Sequence, residues 1–567
     1  MLRPFLVLPL LLLAPLAQAQ TGAQPEPQPI TVKSAETQTP PPPAAPEVPP
    51  ASRLQLALKA HVQFLASDVL RGREAGTQDF NVAAEYVASQ MLAAGLKPAG
   101  DGKGGWFQPV SLTSFRPGEH GSLVLKQGKV PITLAFGTDF VNMPIPAKPD
   151  FSVSGEVVFA GYGIVYPEGK RDDYKGLDVK GKVVAILTGV PEGLPTEVGA
   201  HLGDDDNKAL IAQQHGAKAV VVIETTDRAS SISFTDFAAY YDYSRRGWAG
   251  PDGVAHMVAP EAPVVAFVSQ VGAAKLFAGA RLKWAAVLAA EKKGARIPTG
   301  PLAVTLDATA KTRVRTSPSR NVVGLLEGSD PALKGQYVIL SAHLDHVGIG
   351  DPVNGDRIYN GAMDNAIGNA VILEIAKRYQ AEGKRPRRSI LFLSLTAEEE
   401  GLIGSDYFAH NPVVPKAALV ADLNIDMPIL TYKLEDLVVD GEERMSLGPV
   451  IHAAAAKYGL KVVPDPTPEE MFFVRSDHYS FVQSGIPAVS IDTGPGTGEG
   501  AIASKKFLDE NYHKPSDQID LPWNWPSAEK YFNVAFSAAS TLADDDKRPS
   551  FNKGDFFGVL FGGYGAQ

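Results

Sequence analysis

The sequence of 567 residues contains no cysteine. This absence excludes a thiol nucleophile, disulfide bonds, cysteine-bound zinc and a lipoprotein anchor, which needs a cysteine at its cleavage site. Any metal ion must therefore bind to histidine, aspartate and glutamate. Long basic runs are also absent and the formal net charge is −10, so nucleic acid is not an expected partner.

Residues 1–19 have the pattern of a secretory signal peptide. Arg3 supplies the positive charge at the start, an apolar run follows, and the small residues Ala17 and Ala19 precede the predicted cleavage site after Ala19. The apolar run is short for a helix that crosses a bilayer. We therefore expect an exported protein, periplasmic or secreted, without a stable membrane anchor.

The rest of the chain has the composition of a soluble globular protein, with 44% apolar and 20% charged residues, and it is long enough for about three domains. Residues 20–52 are rich in proline and poor in large apolar residues, which predicts a disordered linker. Apolar residues at helical spacing predict a helix over 81–95. The glycine-rich residues 546–567 predict a flexible tail.

Short, continuous apolar runs alternate with helical patterns in two regions, 153–300 and the region that begins at Asn321. Such runs are typical of strands that are buried on both faces. The pattern predicts an α/β fold with a mostly parallel mixed sheet flanked by helices. Because open α/β sheets bind ligands at the carboxyl ends of their strands, the residues after each predicted strand are the candidates for function.

Histidines, carboxylates and one tyrosine end or follow the predicted strands of the second region. They are His343, Asp345 and His346, then Asp364, then Glu398 and Glu399, then Asp426, and finally Tyr512, His513 and Asp517. Two imidazoles and at least three carboxylates without cysteine suit zinc, cobalt or manganese. A shared carboxylate would bridge two ions about 3.5–4 Å apart.

The adjacent Glu398 and Glu399 need nearby positive charge to remain ionised, and a pair of divalent cations would supply it. Side chains that leave a strand in succession point to opposite sides, so one of the two glutamates can bind metal while the other acts as a general base. Glu400 is expected to be only a solvated residue at a helix start, where the helix dipole favours a negative charge.

These motifs resemble the co-catalytic di-zinc aminopeptidase family, which includes glutamate carboxypeptidase and, as a divergent branch, glutaminyl cyclase. The resemblance covers about 320–545, and residues 65–77 are similar to the N-terminal piece of the family. It implies a zinc exopeptidase fold over 53–148 and 305–545. Residues 149–304 resemble an inserted β-rich α/β protease-associated domain, by pattern rather than by individual residues.

The resemblance also implies the metal ligands. Asp364 would bridge two Zn²⁺ ions, for which Co²⁺ or Mn²⁺ could substitute. His343 and Asp426 would complete one site, and Glu399 and His513 would complete the other.

The catalytic roles follow from the same resemblance. Glu398 would be the general base for a metal-bridging hydroxide, Asp345 would orient His343, and Tyr512 would stabilise the oxyanion. Arg475 matches a position near the substrate. His346 has two interpretations: it contacts a metal-ligand residue without binding metal itself, or it is a simple loop residue.

The function implied is an exported zinc aminopeptidase that hydrolyses the N-terminal peptide bond of peptides with a free N-terminus. Three alternatives stay open: a carboxypeptidase, a glutaminyl cyclase on the same scaffold, and a non-catalytic binding protein. A complete ligand set argues against the last, and five ligands argue against a single-metal cyclase.

Overall fold

The computed structural model describes residues 51–128, 130–240, 243–496 and 498–567. The predicted signal peptide and almost all of the predicted linker lie outside these ranges. The α-helices of the described residues are α1 Arg53–Leu65, α2 Gln78–Ala93, α3 Thr196–Gly203, α4 Asp205–Gln214, α5 Thr226–Ser231, α6 Phe234–Ala239, α7 Gln270–Leu276, α8 Trp284–Glu291, α9 Ile367–Glu382, α10 Ile403–His410, α11 Leu447–Lys457, α12 His478–Gln483, α13 Glu499–Glu510, α14 Trp525–Asp544 and α15 Phe556–Leu560. Within the described part, none of them has the length and apolarity needed to cross a bilayer.

The strands form one extended sheet and two small hairpins. They are β1 Lys97–Pro98, β2 Phe107–Glu119, β3 Leu123–Lys126, β4 Ile132–Thr133, β5 Phe140–Asn142, β6 Asp150–Phe159, β7 Val165–Tyr166, β8 Arg171–Asp172, β9 Val183–Leu187, β10 Ala219–Ile223, β11 Arg245–Ala249, β12 Val264–Val268, β13 Gly300–Leu326, β14 Tyr337–His343, β15 Gly348–Val353, β16 Asp356–Tyr359, β17 Ser389–Leu395, β18 Leu419–Asn424, β19 Asp436–Asp440, β20 Lys461–Val462 and β21 Ala488–Thr493.

The centre of the second region is a parallel sheet in the order β17-β14-β18-β21. All seven residues of β17 and all six of β18 are buried, as continuous apolar runs predict for strands covered on both faces. Helices α9 and α14 pack on β14, and α12 packs on β18 and β21. The predicted α/β fold, with a mostly parallel mixed sheet flanked by helices, is confirmed.

A second parallel set, β6-β9-β10-β12, lies in the first region. The 27-residue strand β13 connects both sets, because its first part pairs with β3 and β6, its middle with β2 and its last part with β17. The sheet is therefore continuous from one region to the other. The domain limits at 149–304 and 305–545 remain a prediction.

Local signals explain the start and end of α2. The Thr77 hydroxyl accepts a hydrogen bond from the Phe80 backbone N–H at 3.2 Å, which caps the helix. Gly95, just beyond the end, has a φ of +74°, a conformation that glycine adopts without strain. The helix begins three residues before the predicted range 81–95 because the cap lies at Thr77.

The C-terminal segment is packed and differs from the predicted flexible tail. Phe551 and Phe557 are 2% and 0% exposed. The Phe557 ring lies 5.2 Å from the ring of Phe473, and Arg444 forms an ion pair with Asp555 at 3.1 Å. Burial of these aromatic rings outweighs the flexibility that the glycines of the segment provide.

The packing of this segment can be tested with two substitutions in α15. Phe557→Ala should lower the free energy of unfolding by about 3–5 kcal/mol, because it leaves a cavity in a packed core. Leu560→Ala, at a residue that is 49% exposed, should change it by less than about 0.5 kcal/mol. Denaturant titration of both variants measures the difference, and equal stabilities would mean that the segment does not pack.

Candidate metal centre

The structure brings the predicted ligand residues together at the carboxyl edge of the parallel sheet. His343 is the last residue of β14, Asp426 lies two residues after β18, and Asp364 precedes α9. Glu398 and Glu399 lie in the turn Ala397–Leu402 after β17, which we name the glutamate turn. They converge because the parallel strands end at one edge of the sheet.

Asp364 lies between two imidazoles. Its Oδ1 is 3.1 Å from His343 Nε2, and its Oδ2 is 3.3 Å from His513 Nε2. His343 Nε2 is also 3.0 Å from Asp426 Oδ1, and His513 Nε2 is 2.9 Å from Glu399 Oε2. The five residues thus form two half-sites that share one carboxylate, as the bridging role requires.

The spacing of these atoms fits a divalent cation. Zinc binds nitrogen and oxygen ligands at about 2.0–2.2 Å in a tetrahedron, which puts neighbouring ligand atoms roughly 3.3 Å apart. His343, Asp364 and Glu399 have ligand atoms within 4.8 Å of one another. Among the described residues, only histidines form ion pairs with the three carboxylates of the set. The donor set therefore fits a metal ion.

The electrostatics of the cluster agree with this fit. Burial alone would raise the pKa of Asp364, but hydrogen bonds to His343 and His513 lower it well below its ordinary value. Burial also opposes ionisation of Glu399, yet the imidazoles lower its pKa to about 2. Both shifts favour the ionised form of Asp364 and Glu399, which is the form that binds a metal ion.

Asp345 supports both sides of the centre. Its backbone carbonyl accepts a hydrogen bond from His343 Nδ1 at 3.2 Å. Its carboxylate accepts the backbone N–H of Glu398 at 3.1 Å and that of Glu399 at 3.4 Å. Asp345 therefore orients His343 through its main chain, while its side chain fixes the glutamate turn.

The loop before Asp364 is fixed by two buried side chains. Asp517 accepts hydrogen bonds from the backbone N–H groups of Met363 and Asp364 at 2.9 and 3.0 Å. Arg73 is fully buried, and its guanidinium donates to the carbonyl of Leu344 at 2.9 Å. Arg73 also donates to the carbonyls of residues 65, 360 and 361. It connects the two loops that carry His343 and Asp364, a role that its sequence position did not indicate.

Glu398 and Tyr512 lie beside the ligands without binding to them. The Glu398 carboxylate forms no hydrogen bond or ion pair with the described residues, and burial together with the charges of Asp426 and Glu399 raises its pKa well above the ordinary value. The Tyr512 ring stacks on His513 at 3.9 Å. Burial first, and then the neighbouring carboxylates, raises the pKa of Tyr512, so its hydroxyl remains a donor.

Arg475 is paired with residues outside the ligand set, although its charge acts on Tyr512. Its guanidinium donates to the carbonyl of Glu470 at 3.1 Å, is 3.3 Å from the Glu470 carboxylate and lies over the Phe472 ring. Its side chain is 32% exposed. It contacts none of the five candidate ligands among the described residues, which leaves its substrate role a prediction.

His346 is a functional candidate that sequence reasoning left open. Its Nδ1 lies 2.6 Å from Glu399 Oε1 and 3.8 Å from Asp364 Oδ2, and the residue is 1% exposed. Because the Glu399 carboxylate is ionised and only accepts, Nδ1 carries the proton and donates. His346 thereby fixes Glu399 with its other oxygen toward His513. A second histidine three residues after His343 was the available signal.

Glu400 is not the solvated residue at a helix start that the sequence suggested. Its side chain is 18% exposed and its Oε1 lies 2.6 Å from an Arg246 guanidinium nitrogen. Helix α10 begins only at Ile403. The ion pair with a residue of β11 was invisible in the local sequence, where three glutamates precede a glycine.

Comparison with known proteins matches part of the chain to a family model. Residues 321–539 match the model of peptidase family M28. The chain is 27% identical over 398 residues to a probable glutamate carboxypeptidase of Arabidopsis thaliana, AMP1, an alignment that covers 61% of this chain and 49% of that protein. It is 28% identical over 229 residues to a probable leucine aminopeptidase 2 of Aspergillus fumigatus, covering 38% and 43%.

The chain thus spans about half or less of the length of these two curated relatives. Among solved structures, an aminopeptidase from Aneurinibacillus sp. strain AM-1 aligns with a TM-score of 0.44 and 20% identity, over 87% of this chain and 95% of that one.

The shared position of Asp364 predicts how metal content responds to substitution. Asp364→Asn should lower zinc affinity by more than the roughly 10- to 100-fold typical of losing an outer contact, because both imidazoles lose their common carboxylate. Asp426→Asn should remove only part of the bound zinc. Elemental analysis after dialysis checks both, with Asp307→Asn on the surface as the control. Equal metal loss in the first two variants would contradict the bridging arrangement.

The contact between His346 and Glu399 predicts a second effect on metal binding. His346→Leu should weaken zinc binding about 10- to 100-fold, since Glu399 loses the donor that orients it. His346→Asn places an amide N–H near the position of Nδ1 and should retain most of the affinity. Competition with a chromophoric chelator measures both constants. The role in orienting Glu399 is excluded if the two variants bind zinc equally.

Proposed function

We propose that the chain acts as an exported, zinc-dependent aminopeptidase, and the match of residues 321–539 to the model of peptidase family M28 supports a metallo-exopeptidase activity. Its substrates are peptides with a free N-terminus, cleaved at their first peptide bond. The observation that carries the proposal is the pair of half-sites that share Asp364, with the uncommitted carboxylate of Glu398 beside them.

The chain's residues divide the work of such a site. His343 and Asp426 would bind one zinc ion, and Glu399 and His513 would bind the other. Asp364 would bind both ions. Co²⁺ or Mn²⁺ could substitute for zinc. Bound zinc polarises a carbonyl and lowers the pKa of water toward neutrality.

Glu398 is the residue suited to proton transfer. Its carboxyl group is not engaged by other described side chains, and burial together with the charges of Asp426 and Glu399 raises its pKa, so it accepts a proton more readily than an exposed glutamate. One Glu398 oxygen would accept a proton from the attacking water and then donate it to the leaving amine. The Tyr512 hydroxyl, which remains protonated, would donate a hydrogen bond to the oxyanion.

A carboxypeptidase is the second candidate. One curated relative is named a probable glutamate carboxypeptidase, and Arg475, whose charge acts on Tyr512, would offer a cation for a terminal carboxylate. Arg475 is already paired with Glu470, so substrate binding would have to displace that partner. This competition favours the aminopeptidase. The full set of five candidate ligands also argues against a single-metal cyclase. It argues against a non-catalytic binding protein as well, because such a protein would not need a complete set of metal ligands.

Export is part of the proposal and rests on residues 1–19. The positive charge at Arg3, the short apolar run and the small residues before position 20 support a cleaved signal peptide. A periplasmic and a secreted location are both compatible with this pattern.

The proposal is tested with aminoacyl-anilides and their N-blocked counterparts, with chelator and with added zinc. Free-amine substrates should be hydrolysed and blocked ones should not. Glu398→Gln should lower kcat by about 10²–10⁴-fold, because proton transfer is lost, while bound zinc stays the same. Hydrolysis of substrates that have a free carboxyl terminus and a blocked amine would instead establish a carboxypeptidase. No hydrolysis by folded, zinc-loaded protein would reject both.

A further inference from the structure

Strand β11, Arg245–Ala249, lies within the segment 149–304 but contacts the glutamate turn beside the metal centre. It pairs antiparallel with residues 111–115 of β2. Alternate side chains of a strand share a face, and on one face Arg246 and Trp248 both contact the chain that follows β17. We name β11 the support strand.

Arg246 connects two acidic residues that adjoin the centre. One guanidinium nitrogen lies 2.6 Å from Glu400 Oε1, and another lies 3.0 Å from Glu74 Oε1. Glu400 directly follows Glu399, and Glu74 directly follows the buried Arg73. The planar guanidinium holds two carboxylates in one fixed geometry, whereas the ammonium group of a lysine is a point charge that does not fix their orientation.

Trp248 contacts the same stretch further along. It is 5% exposed and packs with Ala397 and Ile403 in one apolar cluster. Its indole N–H donates to Asp406 Oδ2 at 2.5 Å, and His410 lies 3.2 Å from the other oxygen of Asp406. The support strand thus contacts the glutamate turn at its middle and both of its flanks.

The glutamate turn has a backbone that needs such support. Ala397 and Leu402, its first and last residues, have φ values of +55° and +58°. Residues other than glycine adopt this left-handed region at an energetic cost, and they keep it only where surrounding contacts impose it. Asp345 supplies contacts from the metal side, at the backbone of Glu398 and Glu399.

We propose that the support strand is a positioning element of the active site, in which Arg246 fixes the glutamate turn through Glu400 so that Glu398 and Glu399 keep their places. The inference rests on the proposed function and gives the segment 149–304 a part in it. Among the described residues, Arg246 contacts Glu400, Glu74 and the backbone carbonyl of Ala75 and none of the five candidate ligands, so it is a positioning residue that acts on the turn through Glu400.

The test compares Arg246→Met with Lys182→Met. Lys182 also joins two carboxylates, Glu156 at 3.5 Å and Asp178 at 3.1 Å, but all three residues belong to 149–304. In the Arg246 variant, kcat should fall at least about tenfold with KM within about twofold. Hydrogen–deuterium exchange should speed up in the peptide that contains the glutamate turn and not in β14. The Lys182 variant should match the wild type in all three.

A double variant, Arg246→Met with Glu400→Met, separates positioning from stability. It removes the unpaired buried carboxylate that the single variant leaves, so the melting temperature should recover. Under the proposal kcat stays low and exchange in the turn stays fast, because the link to the turn is still missing. Recovery of kcat together with stability would overturn the proposal, as would an Arg246→Met protein with unchanged kcat and exchange.

Two measurements require no turnover: hydrogen–deuterium exchange and zinc affinity. The zinc affinity of Arg246→Met should fall, because Glu399 is no longer held in place. If the wild-type chain hydrolyses no aminoacyl substrate, the proposed function fails, yet these two measurements still decide whether the support strand fixes the turn.

Discussion

The two oxygens of Asp364 face two different imidazoles, and the rest of the centre maintains this arrangement. A carboxylate buried this deeply is costly unless positive charge and hydrogen bonds compensate it. Asp517 fixes the backbone at Asp364, and Arg73 donates to carbonyls in the loops on either side. Segments that are far apart in the chain therefore meet around one side chain.

The parts of the centre that the sequence predicted are those with local signals. A continuous apolar run identifies a buried strand, and the polar residue that ends it, such as His343 at the end of β14, identifies the edge where ligands gather. Residues that act over long sequence distances had no such signal. Arg73 donates to backbone carbonyls, which leave no trace in sequence, and the partner of Glu400 lies about 150 residues earlier.

The same reasoning explains the error at the C-terminus. The glycines of 546–567 indicate a flexible backbone, but they say nothing about where Phe551 and Phe557 pack. Tertiary burial overrides local propensity when a partner surface exists, and that surface is built by residues near 444 and 473. Composition describes a segment in isolation, whereas the order of the segment depends on the residues that it packs against.

The length of β13 has a consequence for how the chain folds. β2 precedes it, and the Phe107–Val322 pair closes only after roughly 200 further residues have been made. During synthesis from the N-terminus, β2 and β6 stay without this central partner and present open edges. The nascent chain is thus aggregation-prone until residue 326 arrives, and shielding of these edges by a chaperone would matter more than for a protein whose strands pair in sequence order.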